Sequence, residues 1–194
     1  MGQLFFTADT HFGHKNIIEH ANRPFANVLE MNETMVNRWN SVVGRNDTVY
    51  HLGDVGYRIS PRNLADILDR LNGTLILIAG NHDKGGALRH SKCRDRFAVI
   101  HDFGYELEFP EKGAPRGRRL IVLCHYKMAT WNVKHWGQWH LFGHSHGAIP
   151  DNPTELAFDV GVDCHDFAPI SYTRVCELMA AKTWTPPFKA RGQS

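Results

Sequence analysis

Five short apolar runs each stop abruptly at residues able to hold a metal ion or move a proton, and this recurrence constrains the chain more than any other feature. Leu75-Ile76-Leu77-Ile78-Ala79 gives way to Gly80-Asn81-His82-Asp83. A run of that length, rich in branched aliphatics and bounded by glycine, reads as a buried strand. Gly80 permits a sharp turn at its end. Leu4-Phe5-Phe6-Thr7-Ala8 ends in Asp9-Thr10-His11, and Thr48-Val49-Tyr50-His51-Leu52 ends in Gly53-Asp54. Leu120-Ile121-Val122-Leu123-Cys124 ends in His125, and Trp139-His140-Leu141-Phe142 ends in Gly143-His144-Ser145-His146. One such ending is compatible with a plain turn, since Asn and Asp are common turn formers. Five endings that together carry Asp, His and Asn point to a polynuclear metal site. If the strands share a sheet, these ends lie along one edge, where α/β proteins place ligands.

The intervening segments supply helices. Val28 to Val43 is helical in pattern, with Asn27 as N-cap and Gly44 as stop. Val28, Met31, Met35, Trp39 and Val42 recur at three- and four-residue spacings and make an apolar face suited to core packing. Ser60-Pro61 reads as N-cap and first residue of a helix through Leu71, closed by Asn72-Gly73. Strands alternating with helices give the βαβ pattern of an α/β fold. Phe97–Ile100 and Tyr105–Phe109 read as strands, the second alternating and so either wet on one face or covering a second sheet. The polar, irregular stretch 126–137 lies between two ligand-bearing elements and is expected to rim the site. Leu156–Val162 reads as a further strand, and Ser171 caps a last helix through about Ala181. Residues 1–183 are expected to form a single domain, with 184–194 as a C-terminal tail.

Composition narrows the partners. A chain of 194 residues with 42% hydrophobic residues can bury a substantial core. The 22 basic and 20 acidic residues leave a formal net charge of +2 with no basic block, so no nucleic-acid footprint stands out. Cys93, Cys124, Cys164 and Cys176 are widely spaced and form no CxxC pair, which fits a reduced, cytoplasmic chain. The start carries no charged segment followed by an apolar one, so no secretory signal is expected. No apolar run approaches membrane-spanning length, and no membrane partner is expected.

Taken in order, Asp9-x-His11, Gly53-Asp54, Gly80-Asn81-His82-Asp83, His125 and Gly143-His144-Ser145-His146 resemble the signature of the calcineurin-like metallophosphoesterase superfamily, over residues 4–165. Cys124 stands where many members have Gly, at a position that presents no ligand. The compact length, the Asp9–His14 segment and Trp131-Asn132 resemble the small bacterial and phage-encoded phosphoesterases. The resemblance implies a four-layer α/β/β/α sandwich with two mixed β-sheets. It also implies a dinuclear, metal-dependent phosphoesterase in which a metal-activated hydroxide attacks phosphorus. On that resemblance Asp9, His11, Asp54 and His146 hold one ion, while Asp54, Asn81, His125 and His144 hold the other.

The chemistry also follows from the residue types. Asp54 suits the bridge because a carboxylate can offer one oxygen to each of two ions. His144 and His146 alternate along an extended segment, which separates their rings enough to serve different ions. Two divalent ions outweigh the charges of Asp9 and Asp54, so the site stays cationic and attracts a phosphoryl oxygen. Such ions, about 3.5–4 Å apart, lower the pKa of bound water and clamp an in-line displacement. The mix of imidazole, carboxylate and amide suits Mn, Fe, Zn or Co rather than a Ca cage and does not select among them; Mn is the ion expected, with Fe, Zn, Co or Ni as alternatives. His82, beside Asn81, is expected to be the general acid that protonates the leaving oxygen, with Asp83 orienting or charging its ring. The plainer reading has His82 only hydrogen-bonding the turn.

His14 divides evenly between substrate contact and support of the ligands from behind. Lys127 and Trp131 are expected at the rim, where an aromatic can stack a base, although Trp131 equally suits packing the loop down. His51 and His140, inside strands, read as core residues, and Asp159 and Asp163 as structural. The chain is thus read as a phosphodiesterase acting on a small phosphoester or nucleotide-like substrate. The alternatives are a phosphomonoesterase, including a protein phosphatase, and an inactive scaffold of the same fold.

Overall fold

The apolar runs fold as strands whose ends lie close to those read from the sequence. β1 spans Leu4–Thr7, β2 Thr48–His51, β3 Thr74–Ile78, β4 Phe97–His101, β5 Gly104–Pro110, β6 Arg118–Cys124 and β7 Trp139–Phe142. A computed structural model describes residues 2–187, so the expected tail from 188 to 194 lies outside the described residues. β1 to β4 run parallel in the order β4-β3-β2-β1, and β9 (Ile170–Ser171) joins β1 antiparallel. The second sheet runs β5-β6-β7-β8, with β8 at Ala157–Asp159; β5 is antiparallel to β6 and the remaining pairs are parallel. The architecture is α/β with two mixed sheets. The ligand-bearing strands do not share one sheet: β1, β2 and β3 belong to the first, β6 and β7 to the second.

Alternation along each strand builds the layers. Phe5, Val49, Leu75 and Leu77 face α2 (Val28–Val42) and α3 (Pro61–Leu68). Their neighbours Phe6, Tyr50, Leu52 and Ile78 face the second sheet, where they meet Leu107, Ile121, Leu123 and Leu141. Both faces of the first sheet are buried, which is why its strands read as unbroken apolar runs. α5 (Tyr172–Ala180) adds Val175 and Met179 to the inter-sheet core. The outer face of the second sheet presents Leu120, Val122, Phe142 and Ala157, covered by Trp131 with Met128 and Val133.

Local chemistry sets the helix ends. The Asn27 side chain accepts from the backbone N–H groups of Leu29 and Glu30, both at 3.0 Å. Met31, Met35 and Trp39 are buried as expected, while Val42 turns outward at 44% exposure. Ser60 caps α3 at 3.2 Å from the Asn63 N–H. α3 stops at Leu68 rather than Leu71 because the chain tightens: Arg70 and Leu71 donate to the carbonyls of Ile67 and Leu68, three residues back. α1 (Ile17–His20) follows the turn after β1 and α4 (Ser91–Arg94) precedes β4.

The expected strand Leu156–Val162 is cut short at Asp159. There the chain crosses from the second sheet to the first, with Val160 N–H donating to Phe142 O and Val162 N–H to Ala8 O. Trp184, expected in the tail, is half-buried against the inter-sheet core and lies over Gly137. The four cysteines are unpaired. Among the described residues no helix is long and apolar enough to cross a membrane.

Candidate metal centre

The ends of five strands converge on two clusters. One ligating atom from each of Asp9, His11 and His146 falls within 4.8 Å of the others, and the same holds for Asp54, His125 and His144. The clusters meet at Asp54, whose Oδ2 lies 3.5 Å from His11 Nε2 and 3.6 Å from His125 Nε2. Asn81 Oδ1 lies 3.0 Å from His125 Nε2, which places Asn81 in the second cluster. The other Asp54 oxygen, Oδ1, accepts the backbone N–H of His82 at 2.9 Å. Oδ2 is thus the Asp54 oxygen that faces an imidazole of each cluster.

Ring tautomers follow from the outer hydrogen bonds. His125 Nδ1–H donates to Leu52 O at 2.7 Å, and His146 Nδ1–H donates to Asp163 Oδ2 at 2.7 Å. Each Nε2 then carries its lone pair toward its cluster. Asp9 Oδ2 accepts the His144 N–H at 2.8 Å. Asp9 Oδ1 and His11 Nε2 are buried with no hydrogen-bond partner. A buried polar atom left unpaired costs about 1–3 kcal/mol. Burial, then the neighbouring carboxylates Asp159 and Asp54, push the Asp9 carboxyl well above the usual range. Burial, then His146 and the Arg23 guanidinium, hold the His11 imidazolium far below its ordinary value. Orphaned carboxylate and imidazole atoms side by side are a donor set that fits a divalent cation.

The candidate ligands stand on strained backbone. Asp9, His11, Asp54, His144 and His146 adopt φ of +58°, +48°, +57°, +68° and +47°. The left-handed region costs a non-glycine residue roughly 1–2 kcal/mol, and such strain collects at functional sites. Neighbouring turns hold it in place: Asp9 N–H donates to Gly53 O at 2.9 Å, His11 N–H to Asp54 O at 3.0 Å and Gly143 N–H to His125 O at 3.0 Å. Gly53 and Gly80 must both be glycine. Gly53 has φ of +93°, and a Cβ there would lie 2.5 Å from Gly80 N.

The family model for calcineurin-like phosphoesterases matches residues 3–144. The chain belongs to that family. It is similar to the uncharacterized protein MJ1445 of Methanocaldococcus jannaschii, 34% identical over 188 residues that cover 92% of each chain. It is also similar to the gene 66 protein of Mycobacterium phage L5, 29% identical over 171 residues, covering 77% of this chain and 80% of the phage protein. Among solved structures, the protein of unknown function AQ665 from Aquifex aeolicus has the same fold, with a TM-score of 0.67 and 24% identity over 92% of this chain and 100% of that one.

Around the clusters of this phosphoesterase, several expected contacts take other roles. Asp83 does not orient the His82 ring. Its carboxylate accepts the N–H groups of Asp54 (2.7 Å), Gly80 (2.9 Å) and Val55 (3.0 Å), and so pins two ligand turns together. Trp131 is buried under the second sheet and donates Nε1–H to Gln138 O at 3.0 Å, so it packs the loop down and does not rim the site. Lys127 pairs with Glu155 at 3.3 Å. His14 is buried against His11, Nδ1 to Nδ1 at 3.4 Å, and burial lowers its pKa to about 4. His51 and His140 are core residues as expected: His51 bonds Thr10 Oγ1 at 3.0 Å, and His140 donates to Val122 O at 2.9 Å.

The half-buried His82 ring stands with Nε2 3.9 Å from Asp54 Oδ2. What backs it is Tyr57, with ring centroids 4.3 Å apart, and Tyr57 also lies 4.7 Å from His14. Tyr57 and Arg23 were missed in the sequence. Arg23 is buried and meets Asp163, which in turn holds His146. Burial would raise the Asp163 pKa, but His146 and Arg23 hold it below the usual carboxylate range. Asp159 braces the ligand turn, accepting from Ser145 Oγ at 2.5 Å and from Gly161 N–H at 2.7 Å. Asp159 and Asp163 are thus structural, as read, but in direct support of the ligands.

Proposed function

We propose that this calcineurin-like phosphoesterase hydrolyses phosphodiester bonds in small or nucleotide-like substrates at a dinuclear metal centre, with His82 as general acid. The observation that carries the reading is Asp54 Oδ2, which stands 3.5 Å and 3.6 Å from one imidazole of each cluster and so joins them. Asp9, His11, Asp54 and His146 would hold one cation, and Asp54, Asn81, His125 and His144 the other. Mn is the expected ion, and the same ligand types accept Fe, Zn, Co or Ni. Two divalent cations bound there lower the pKa of water and neutralise charge on the attacking and leaving oxygens.

The chain's own groups do the rest. Asp9 and Asp54 bring less negative charge than two such ions bring positive, so the pocket attracts an anionic phosphoryl group. Asn81 and His144 are exposed and leave one side open to substrate. His82 stands at that open side, with its backbone N–H tied to Asp54 and its ring backed by Tyr57. A proton delivered from His82 to the departing oxygen contributes on the order of 10²–10⁴ in rate. Lys127, an expected substrate contact, is tied to Glu155.

Turnover of bis-p-nitrophenyl phosphate and p-nitrophenyl phosphate by Mn-loaded protein tests the proposal. The diester should show the higher kcat/KM. A preference for the monoester would move the assignment to a phosphomonoesterase. Absence of turnover on either, with ions bound, would leave a scaffold that has kept the centre without the chemistry.

A further inference from the structure

The two halves of the centre are braced by different devices. Asp83 pins the turns that carry Asp54 and Asn81. The half formed by Asp9, His11 and His146 is braced by Arg23, which is 4% exposed. Arg23 Nε donates to Asp163 Oδ1 at 2.8 Å and Nη2 to Asp163 Oδ2 at 2.9 Å. Nη2 also donates to Asp9 O at 2.7 Å, and Nη1 to Thr10 O at 3.1 Å and Met31 Sδ at 3.5 Å. Asp163 Oδ2 accepts the His146 Nδ1–H at 2.7 Å. One planar guanidinium therefore holds the backbone of the left-handed Asp9 turn and the carboxylate that fixes the His146 tautomer. None of these bonds reaches Asn81, His125 or His144.

We infer that Arg23 and Asp163 form a positioning clamp that sets the affinity of the ion held by Asp9, His11 and His146, independently of the other ion. This rests on the two-ion reading of the centre. The physical basis is that Asp9 and His11 on one turn and His146 on another, far along the chain, must present lone pairs to one point. Asp9 Oδ1 and His11 Nε2 are aimed by a turn whose carbonyls Arg23 grips, and His146 Nε2 by the carboxylate that Arg23 orients. Arg23 and Asp163 together add no net charge, so the clamp does not repel the cation it serves. Lys in place of Arg23 keeps the charge but loses the fork that reaches Asp163 and both carbonyls. Asn in place of Asp163 keeps the shape but turns an amide N–H₂ toward either Arg23 or His146, both of which are donors there.

The test counts ions. Metal-stripped wild type, Arg23→Lys and Asp163→Asn are dialysed against a range of free Mn, and bound Mn per chain is measured. Electron paramagnetic resonance distinguishes spin-coupled from isolated Mn. Wild type should bind two ions with a coupled spectrum. Each variant should keep one ion at wild-type affinity, with the other weakened about 10–100-fold, and show isolated Mn at intermediate concentration. Adding His125→Ala to Asp163→Asn should abolish the remaining ion, while adding His11→Ala should leave it. Asp163→Asn is near-isosteric and decides the matter if Arg23→Lys does not fold. Equal weakening of both ions, or of neither, overturns the clamp while leaving the two-ion reading intact. Wild type that binds a single ion overturns both.

Discussion

At the scale of single residues, the centre is built from atoms whose hydrogen bonds are allotted. Asp54 spends Oδ1 on the His82 N–H and keeps Oδ2 for the clusters. His125 and His146 each spend Nδ1 on an oxygen outside the centre. The His82 ring packs on Tyr57 and lies near His11 and Asp54 Oδ2, an arrangement that suits the proposed proton donor. His82→Ala should retain its ions and lose activity, and lose less of it with p-nitrophenolate, which departs without protonation. Tyr57→Ala should show a weaker form of the same leaving-group dependence. Equal loss on good and poor leaving groups would contradict the acid role. The residues that cluster were legible in the sequence because each follows the end of an apolar run. Asp83 and Arg23 were not, because their roles depend on partners 29 and 140 residues away, and no local pattern records such pairing. Adjacency in sequence suggested that Asp83 serves His82; the unpaired N–H groups of two turns claimed its carboxylate first.

At the scale of elements, strands and helix caps follow local chemistry, while connections follow what they must cover. The stretch 126–137 reads as a polar rim, yet Trp131 is buried because the outer face of the second sheet needs an apolar cover. Val133, packed in the same cluster, holds φ of +50°, an uncommon conformation for a β-branched residue. Trp131→Ala should cost about 3–5 kcal/mol in urea unfolding, with far less effect on kcat than His82→Ala. Inside β2, His51 is fully buried, and burial, then His125, lower its pKa to about 3. A base whose folded pKa is depressed contributes its stability fully above its ordinary value of about 6.5 and loses it as pH falls toward the folded value. Unfolding free energy should therefore drop between pH 6.5 and 5, with this one group contributing a slope of up to about 1.4 kcal/mol per pH unit. His51→Leu should flatten the profile by that share; an unchanged slope would remove His51 as a source.

At the scale of the whole molecule, the centre lies where two sheets meet. A single sheet edge was the simplest reading of five similar strand ends, but the β1–β3 ends and the β6–β7 ends come from different sheets. Alternation of apolar residues shows that a strand is buried without showing which sheet it joins. The crossing after β8 and the bond from His144 N–H to Asp9 Oδ2 tie the sheets together at the site itself. Residues from both sheets must therefore be in register for the two clusters to meet at Asp54. The most direct test is hydrolysis of bis-p-nitrophenyl phosphate by metal-stripped protein with Mn added back, for wild type and Asp54→Asn. The account predicts that stripping abolishes turnover, that Mn restores it in wild type, and that Asp54→Asn stays inactive while remaining folded. Turnover that survives stripping, or full activity in Asp54→Asn, would contradict it.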